Sequence, residues 1–204
     1  MMTSDIQLME CVRDDACLAT RDDAFRELIR RHQKGVHHYL YRLTGSYDTA
    51  LELTQETFLR VFANRRSYQP VAAFTTWLYR IATNLGINES RLARNRYERQ
   101  FLAAADSSDD SPEDWLAADR EGETPEDSTW RQQLRERLSD QLANIPETFR
   151  IPVLLKDLLG FSYEEIGEVT ATTVGTVKSR IHRGRKMAAQ MLLNQDPETF
   201  QAFL

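Results

Sequence analysis

Cysteine, glycine and long apolar runs are all scarce in this chain of 204 residues. Its two cysteines, Cys11 and Cys17, are too few for a disulfide framework, so we expect reduced thiols, with a redox or metal role as the alternative. No segment approaches the ~20 consecutive apolar residues of a membrane helix, which argues against membrane insertion. Residues Met1–Glu10 lack a basic patch followed by an apolar core, so no secretory signal is expected and the interpretation is cytoplasmic.

Charge is distributed very unevenly along the chain. Charged residues make up 28% and hydrophobic residues 41%, which is typical of a globular protein. The formal net charge is −5, but the segment 103–129 holds ten acids and one base and so contributes −9. The remaining residues therefore sum to −5 + 9 = +4. Basic patches in a net acidic protein indicate contact with a polyanion at defined sites.

The acidic segment also predicts the domain organisation, because it contains four Ser, two Pro and one Gly beside its ten acids and is poor in apolar residues. We expect an all-α chain of two small helical domains, an N-terminal bundle and a C-terminal helix-turn-helix, joined by a flexible acidic linker. The predicted parts are an N-terminal extension (1–20), a first domain (21–101), the linker (102–129), a second domain (130–193) and a tail (194–204).

Helical periodicity is clear in the first domain. Apolar residues recur at three-, four- and seven-residue spacing over Asp22–Leu43, and Gly45 is a good stop. Asp48 can cap a second helix that runs to about Asn64. A third helix begins near Phe74, with one apolar stripe and one polar, basic stripe formed by Arg80, Asn84, Asn88 and Arg91.

The second domain contains the spacing of a helix-turn-helix. Pro146 starts a helix that Gly160 closes, and Ser162 with Glu165 forms a capping box that opens a short helix. A turn over 170–173 leads into a helix from Val174 to about Leu193. Two helices joined by so short a turn predict a unit whose second helix enters the DNA major groove.

The outer face of that second helix carries basic side chains and hydroxyl groups but no acidic residue. Val174, Val177 and Ile181 face inward at ~100° per residue, and the other side can bind phosphates or base edges. A solvated basic helix is the alternative. The predicted DNA-binding residues are Thr176, Lys178, Ser179, Arg180, His182, Arg183 and Lys186.

These segments resemble a known family. Residues 161–167 (FSYEEIG) and 174–186 (VGTVKSRIHRGRK) resemble the promoter-binding domain of bacterial sigma-70-type RNA polymerase sigma factors, and the extracytoplasmic-function (ECF) subfamily is the best match. Residues 53–62 (LTQETFLRVF) resemble the family's core-polymerase-binding helix, and 74–85 (FTTWLYRIATNL) its promoter-melting helix. These three segments in this order resemble the family more specifically than the helix-turn-helix does alone.

The resemblance implies a role for each segment. It implies a transcription initiation factor whose partners are core RNA polymerase, promoter DNA and an anti-sigma factor, with the helix-turn-helix residues above reading the minus-35 element. Core-polymerase contacts are implied for Glu52, Gln55, Glu56, Phe58 and Arg60. Contacts with the melted minus-10 element are implied for Tyr68, Phe74, Trp77, Arg80, Asn84 and Arg91.

Several alternatives stay open on the sequence. Phe58 and Trp77 also fit the apolar core, and Tyr68 is as plausibly structural as a base contact. The acidic linker is either a passive tether or a segment that threads a basic channel of polymerase. An ordinary regulator with a sensory domain and an enzyme are the rival classes, but no phosphoacceptor site, metal-ligand spacing or catalytic set is visible. We therefore expect no cofactor and no catalytic residue.

Overall fold

The computed structural model describes residues 3–14, 18–71, 73–104 and 144–195. Every regular element in these ranges is helical, which confirms the all-α prediction. The predicted linker beyond Ala104 and the predicted tail beyond Gln195 lie outside the described residues. The elements are α1 (Asp5–Arg13), α2 (Leu18–Thr44), α3 (Tyr47–Ala63), a 3₁₀ turn (Arg65–Ser67), α4 (Phe74–Ala104), α5 (Glu147–Val153), α6 (Tyr163–Thr170) and α7 (Val174–Gln195).

The first domain is a bundle of α2, α3 and α4 to which α1 is added. Leu28, Val36 and Leu40 of α2 are fully buried where α3 and α4 pack against it. Helix α1 was not predicted, although Ser4 and Gln7 form a capping box at its start. Its apolar side places Met9 and Val12 in the same core, so α1 is part of the bundle.

The start of α3 differs from the prediction. Its N-cap is Ser46 instead of Asp48, because the Ser46 side chain accepts a hydrogen bond from the Thr49 backbone N–H at 3.3 Å. Asp48 then lies in the first turn, where its negative charge interacts favourably with the positive end of the helix dipole. Gly45, at φ +76°, ends α2 as expected, since a residue without Cβ adopts this conformation at little cost.

The second domain contains the predicted helix-turn-helix in α6 and α7. Both bonds of the capping box are present: Glu165 N–H donates to Ser162 Oγ at 3.1 Å, and Ser162 N–H donates to Glu165 Oε2 at 2.8 Å. The preceding segment is not one regular α-helix as predicted. Pro152 lies inside α5 and removes a backbone donor, and a π-helical turn (Leu154–Leu158) follows.

The two domains also pack against each other, which the sequence did not predict. Helix α4 of the first domain contacts α6 of the second, and α2 contacts α5 and the π-helical turn. The ring of Tyr79 on α4 meets Phe161 edge to face, with centroids 5.4 Å apart. The buried apolar cluster therefore runs from one domain into the other without interruption.

Candidate nucleic-acid and polymerase interface

The predicted polar stripe of α4 lies on its surface. Arg80, Asn84, Asn88 and Arg91 are all exposed, as their four-, four- and three-residue spacing indicated. Arg91 Nη2 donates to Asn88 Oδ1 at 3.4 Å, whereas Arg80 has no ion-pair partner among the described residues. The stripe can therefore present a guanidinium and an amide to a phosphate or a base edge.

The aromatic residues predicted to contact the minus-10 element are mostly interior, which corrects the expectation for two of them. Tyr68 and Phe74 are each only 2% exposed, and Trp77 is partly buried against both. The Tyr68 and Trp77 ring centroids lie 5.2 Å apart. Burial also raises the pKa of the Tyr68 hydroxyl. In this arrangement Tyr68 and Phe74 stabilise the loop after α3, and neither ring has the free face that stacking on a base requires.

Helix α1 is held near this aromatic cluster by a polar network. Arg31 Nη1 donates to the backbone oxygen of Thr3 at 2.8 Å and to Asp5 Oδ1 at 2.9 Å. His32 Nε2 lies 2.7 Å from the other carboxylate oxygen of Asp5. Arg31 also pairs with Glu27, whose pKa falls to about 2 because Arg30 and Arg31 donate hydrogen bonds to it. Helix α1 also contacts the 3₁₀ turn that precedes Tyr68.

The predicted polymerase-binding residues divide between the surface and the core of α3. Glu52 and Gln55 are exposed, and Glu56 pairs with Arg60 one turn away, with Oε1 and Nε 2.6 Å apart. Phe58 is 6% exposed and belongs to the bundle core, which corrects its prediction as a direct contact.

Two apolar residues on the exposed face of α3 were missed by the sequence analysis. Leu59 is 65% exposed and Leu51 43% exposed. With Gln55 between them at four-residue spacing, they form one stripe beside Glu52 and Glu56. The signal that could have found them is the Leu51–Gln55–Leu59 spacing, which lies outside the buried set of the helix. We call Leu51, Glu52, Gln55, Glu56 and Leu59 the α3 face.

The turn between α6 and α7 has a tight geometry. Ala171 ends α6 at φ 51° and ψ 46°, the left-handed conformation that glycine usually occupies. Thr172 N–H donates to the Gly167 carbonyl at 2.9 Å, and a Cβ on Gly167 would lie 2.8 Å from the Thr172 oxygen. Thr173 then caps α7, since its hydroxyl accepts from Thr176 N–H at 3.3 Å. These contacts fix the direction in which α7 leaves the turn.

The outer face of α7 is exposed over most of its length. Lys178, Ser179, His182, Arg183 and Lys186 are exposed, and Thr176 and Arg180 are partly so. Two hydroxyl groups on this face already form local hydrogen bonds. The hydroxyl oxygens of Thr176 and Thr173 lie 3.0 Å apart, and the Ser179 hydroxyl donates to the Thr176 carbonyl at 2.9 Å. Lys178 lies 5.3 Å from the centroid of the Tyr163 ring on α6. Arg183 and Lys186 have no ion-pair partner among the described residues, so both can bind DNA phosphates or bases.

One basic side chain of α7, that of Arg185, forms an ion pair within the domain. Arg185 Nε donates to Asp157 Oδ2 at 3.0 Å, and a second bond joins its Nη2 to Oδ1, which raises the pKa of Arg185. This pair connects α7 to the π-helical turn. Arg183 and Arg185 lie only two positions apart in the sequence, and their spacing does not show that one is paired and the other is not.

An exposed, acid-free recognition helix beside a second helical domain with its own basic stripe defines a class of DNA-binding transcription proteins. The sequence matches the family descriptions Sigma-70 region 2 over residues 28–96 and Sigma-70 region 4 over residues 135–187. The chain belongs to the ECF RNA polymerase sigma factors. Its function is to direct core RNA polymerase to promoters, so core polymerase and promoter DNA are its partners.

Three relatives illustrate the family relationship. The chain is 37% identical over 195 residues to "ECF RNA polymerase sigma factor SigE" of Mycolicibacterium smegmatis, covering 96% of this chain and 70% of the relative. It is 32% identical to "ECF RNA polymerase sigma factor SigW" of Bacillus subtilis, covering 83% and 89%. It is 33% identical to the "ECF RNA polymerase sigma-E factor" of Escherichia coli K12, covering 80% and 83%.

Two solved structures share the fold. CnrH, determined in complex with the cytosolic domain of CnrY, superposes with a TM-score of 0.65 at 18% identity over 94% of this chain and 98% of that one. RpoE, determined with the anti-sigma factor NepR from Bartonella quintana, superposes with a TM-score of 0.60 at 22% identity, covering 84% and 98%. Within the described residues, no helix is both long and apolar enough to cross a membrane.

Proposed function

We propose that the two exposed basic faces divide promoter recognition between the domains. The predicted domain limits, 21–101 and 130–193, then correspond to a minus-10 unit and a minus-35 unit, with the acidic segment 102–129 joining them. Helix α4 binds the melted minus-10 strand through Arg80, Asn84 and Arg91, with the exposed part of Trp77 as its stacking surface. Helix α7 reads the minus-35 duplex through Arg183, with Lys178, Ser179, His182 and Lys186 beside it.

The observation that carries the minus-35 assignment is the contrast between Arg183 and Arg185. Both lie on α7 within one turn, but Arg183 is exposed without an ion-pair partner in the described part of the chain and Arg185 is bound to Asp157. An unpaired guanidinium can form the two parallel hydrogen bonds to guanine that give base specificity. Arg185 already uses its donors within the domain, so it contributes charge but little readout.

This contrast supplies a matched control for the test. Promoters are first selected from a randomised library with the holoenzyme, and binding is then measured on the selected and a scrambled minus-35 sequence. Arg183→Ala should reduce discrimination between them by ~1–3 kcal/mol, the range of a bidentate base contact. Arg185→Ala removes the same charge and should weaken both sequences alike. If the two variants behave identically, charge alone explains the contribution of Arg183.

We also propose that the α3 face docks on core polymerase and that polymerase, not this chain, supplies all catalysis. Leu51 and Leu59 supply the apolar contact, and Glu52, Gln55 and Glu56 surround it with polar groups, an arrangement typical of protein interfaces. The acids also favour encounter with a basic partner surface. The proposed place of action is the cytoplasm, where core polymerase is found.

An anti-sigma factor is the proposed regulator. The support is that the partners of the two structural neighbours are the cytosolic domain of CnrY and the anti-sigma factor NepR. A regulator of this kind should prevent the chain from forming holoenzyme when it is added first. The measurement is promoter-specific transcription with a candidate anti-sigma factor added before or after core polymerase. Equal inhibition in both orders would indicate a target other than the free chain.

A further inference from the structure

A cleft of about 300 Å³ lies where the two domains meet. Helix α4 contributes Arg80 and Asn84 to its lining, α7 contributes Arg180, and α5 contributes Thr148 and Ile151. This volume is at the lower end of the range for small-molecule sites, which often form where two domains adjoin. The cleft is therefore large enough for a small ligand, and the side chains that line it determine which ligand it can take.

The two arginines of the cleft, Arg80 and Arg180, have no ion-pair partner among the described residues. Arg185, on the same helix as Arg180, is by contrast bound to Asp157. Two guanidinium groups that share a cleft repel each other, and an anion bound between them replaces this repulsion by two attractions. A cleft lined by charges of one sign also focuses the electric field and concentrates counter-ions. The two arginines therefore form the basis of an anion site.

One acid also lines the cleft, but it does not cancel the positive charge. Glu147 begins α5 and lies within electrostatic range of the buried Arg150. Together with Arg80 and Arg180, three arginines stand against one glutamate, which leaves a net charge of +2 for these four side chains. A doubly charged anion matches this balance, whereas a neutral ligand leaves Arg80 and Arg180 without a counter-charge. A dianion is therefore the class of ligand whose charge fits the cleft.

The hydrogen-bond donors of the cleft favour phosphate over a carboxylate. A carboxylate has two oxygens, and a single guanidinium fork can occupy both of them. A phosphate monoester has three acceptor oxygens and close to two negative charges at pH 7, so two guanidinium groups can share it. Asn84 on α4 and Thr148 on α5 are exposed in the same cleft and add amide and hydroxyl donors. The donors thus suit a phosphate group that is bound from both sides.

Apolar side chains form another part of the lining. Ile87 of α4, Ile151 and Pro152 of α5 and Val169 of α6 all line the cleft. Apolar walls around a few polar groups are typical of sites for organic ligands, because the walls supply burial and the polar groups fix the orientation. An inorganic ion would leave these walls uncovered. The ligand that fits the whole lining therefore carries a small apolar or aromatic group on its phosphate.

We propose that this cleft is a binding site for a small phosphate monoester, with the phosphate between Arg80 and Arg180 and the apolar group against Ile87 and Ile151. The consequence of binding rests on the proposed function. Arg80 is a proposed minus-10 contact, and Arg180 lies on the helix that reads the minus-35 element, so the ligand and promoter DNA compete for the same guanidinium groups. A metabolite of this class is therefore an effector of promoter recognition.

Titration calorimetry of the full chain with phenyl phosphate, in the absence of DNA and polymerase, tests the site. Phenyl phosphate should bind more tightly than inorganic phosphate, which lacks the apolar group, and more tightly than phenol, which lacks the charge. Arg80→Ala and Arg180→Ala should each weaken its binding about tenfold or more, because each variant loses charge-assisted hydrogen bonds. Lys186→Ala is the matched control, since it removes a positive charge of α7 outside the cleft. Equal losses in Lys186→Ala and Arg180→Ala would assign the binding to the general basic surface of α7 and overturn the site.

Two substitutions of Thr148, which is exposed, separate charge from shape. Thr148→Glu places a carboxylate in the cleft and should weaken binding of phenyl phosphate at least tenfold, whereas Thr148→Gln has a similar size and should retain it. Methyl NMR of the isoleucine-labelled chain locates the probe, because the signals of Ile87 and Ile151 should shift on its addition and that of Ile6 on α1 should not. Circular dichroism checks that each variant keeps its helix content. Equal affinity in Thr148→Glu and Thr148→Gln, or no saturable shift at Ile87 and Ile151, would overturn the proposal.

The effector role has its own measurement. Saturating phenyl phosphate should weaken binding of a single-stranded minus-10 oligonucleotide to the free chain, and an absence of competition would overturn that role. Failure of the promoter assignments has a different signature, because the titrations with phenyl phosphate contain no DNA. It would appear as normal binding of phenyl phosphate combined with no effect of Arg183→Ala on selected promoters.

Discussion

Arg185 of the recognition helix is bound to Asp157 of the π-helical turn by two hydrogen bonds, 28 positions apart in sequence. The pair joins the recognition helix to the turn that follows α5 within the same domain. Its side chains are 53% and 42% exposed, and solvent therefore screens much of the attraction.

We predict a small stability effect when this pair is broken. Asp157→Asn should lower the free energy of unfolding by less than ~1 kcal/mol, the usual range for exposed ion pairs. The effect should shrink as salt is raised, because screening weakens the pair in the parent protein. Urea denaturation at low and high salt measures both quantities. A salt-independent loss would show that Asp157 acts through packing instead of charge.

The turn of the helix-turn-helix offers a stabilising substitution. Ala171 adopts a left-handed conformation at φ 51°, which costs an L-residue ~1–2 kcal/mol. Ala171→Gly removes that cost but adds freedom to the unfolded chain, so the expected gain is up to ~1 kcal/mol. Asn also tolerates this conformation, and Val does not. Melting temperatures should therefore fall in the order Gly or Asn, then Ala, then Val, and any other order would contradict the strain argument.

Alkaline pH should destabilise the bundle through its buried tyrosines. Burial raises the pKa of Tyr79 from 10.0 to about 12, and it also raises that of Tyr39. Because the folded pKa lies above the unfolded one, the stabilisation is complete below pH 10 and is lost as pH rises towards 12. For Tyr79 the loss is ~2–3 kcal/mol.

Tyrosine-to-phenylalanine variants test this assignment. Tyr79→Phe cannot ionise, so its urea midpoint should fall less between pH 9 and pH 12 than that of the parent chain. Tyr47→Phe is the matched control, since Tyr47 is 62% exposed on the same domain. Equal pH dependence in Tyr79→Phe and the parent would place the alkaline sensitivity at other groups.

The α3 face predicts which residues bind core polymerase. Leu59→Ala should weaken holoenzyme formation about tenfold or more, because burying an exposed leucine contributes ~1.5–3 kcal/mol. Stability should be unchanged, since Leu59 is 65% exposed in the free chain. Leu92→Ala is the control, an exposed leucine on α4. Equal affinity for both variants in a binding titration with labelled core polymerase would place the docking surface elsewhere.

Local patterns predicted the helices well but did not predict contacts between distant segments. The capping box at Ser162 and the inward side of α7, with Val177 and Ile181 buried, were readable because they depend on residues a few positions apart. The exposed stripe from Arg80 to Arg91 was readable for the same reason. Each of these features is a property of one helix and its own ends.

The features that the sequence did not predict all depend on which helices and turns pack against each other. Phe58 and Tyr68 fit the pattern of contact residues, but tertiary packing places both in the core. The pairing of Arg185 depends on the path of the π-helical turn, and the burial of Tyr79 depends on the second domain. Periodicity distinguishes an apolar side from a polar one, but it does not say which element covers a side.

The position of α1 leads to the last prediction. Asp5 is the residue through which Arg31 and His32 hold this helix, at 2.9 Å and 2.7 Å. Tyr68 lies within electrostatic range of Asp5 and Glu10 and shares an aromatic cluster with Trp77. Loosening α1 should therefore open a path from solvent to these rings.

Asp5→Ala should make Trp77 more accessible to acrylamide in a chain whose other tryptophans, Trp115 and Trp130, are replaced by phenylalanine. Asp14→Ala is the control, because Asp14 pairs only with its neighbour Arg13 among the described residues.

If Tyr68 stacks on a minus-10 base once uncovered, Asp5→Ala should also bind a single-stranded minus-10 oligonucleotide more tightly, by up to the ~1–3 kcal/mol of one stacked base. Greater quenching without tighter binding would leave Tyr68 a purely structural residue, and unchanged quenching would show that Asp5 does not control access to the cluster.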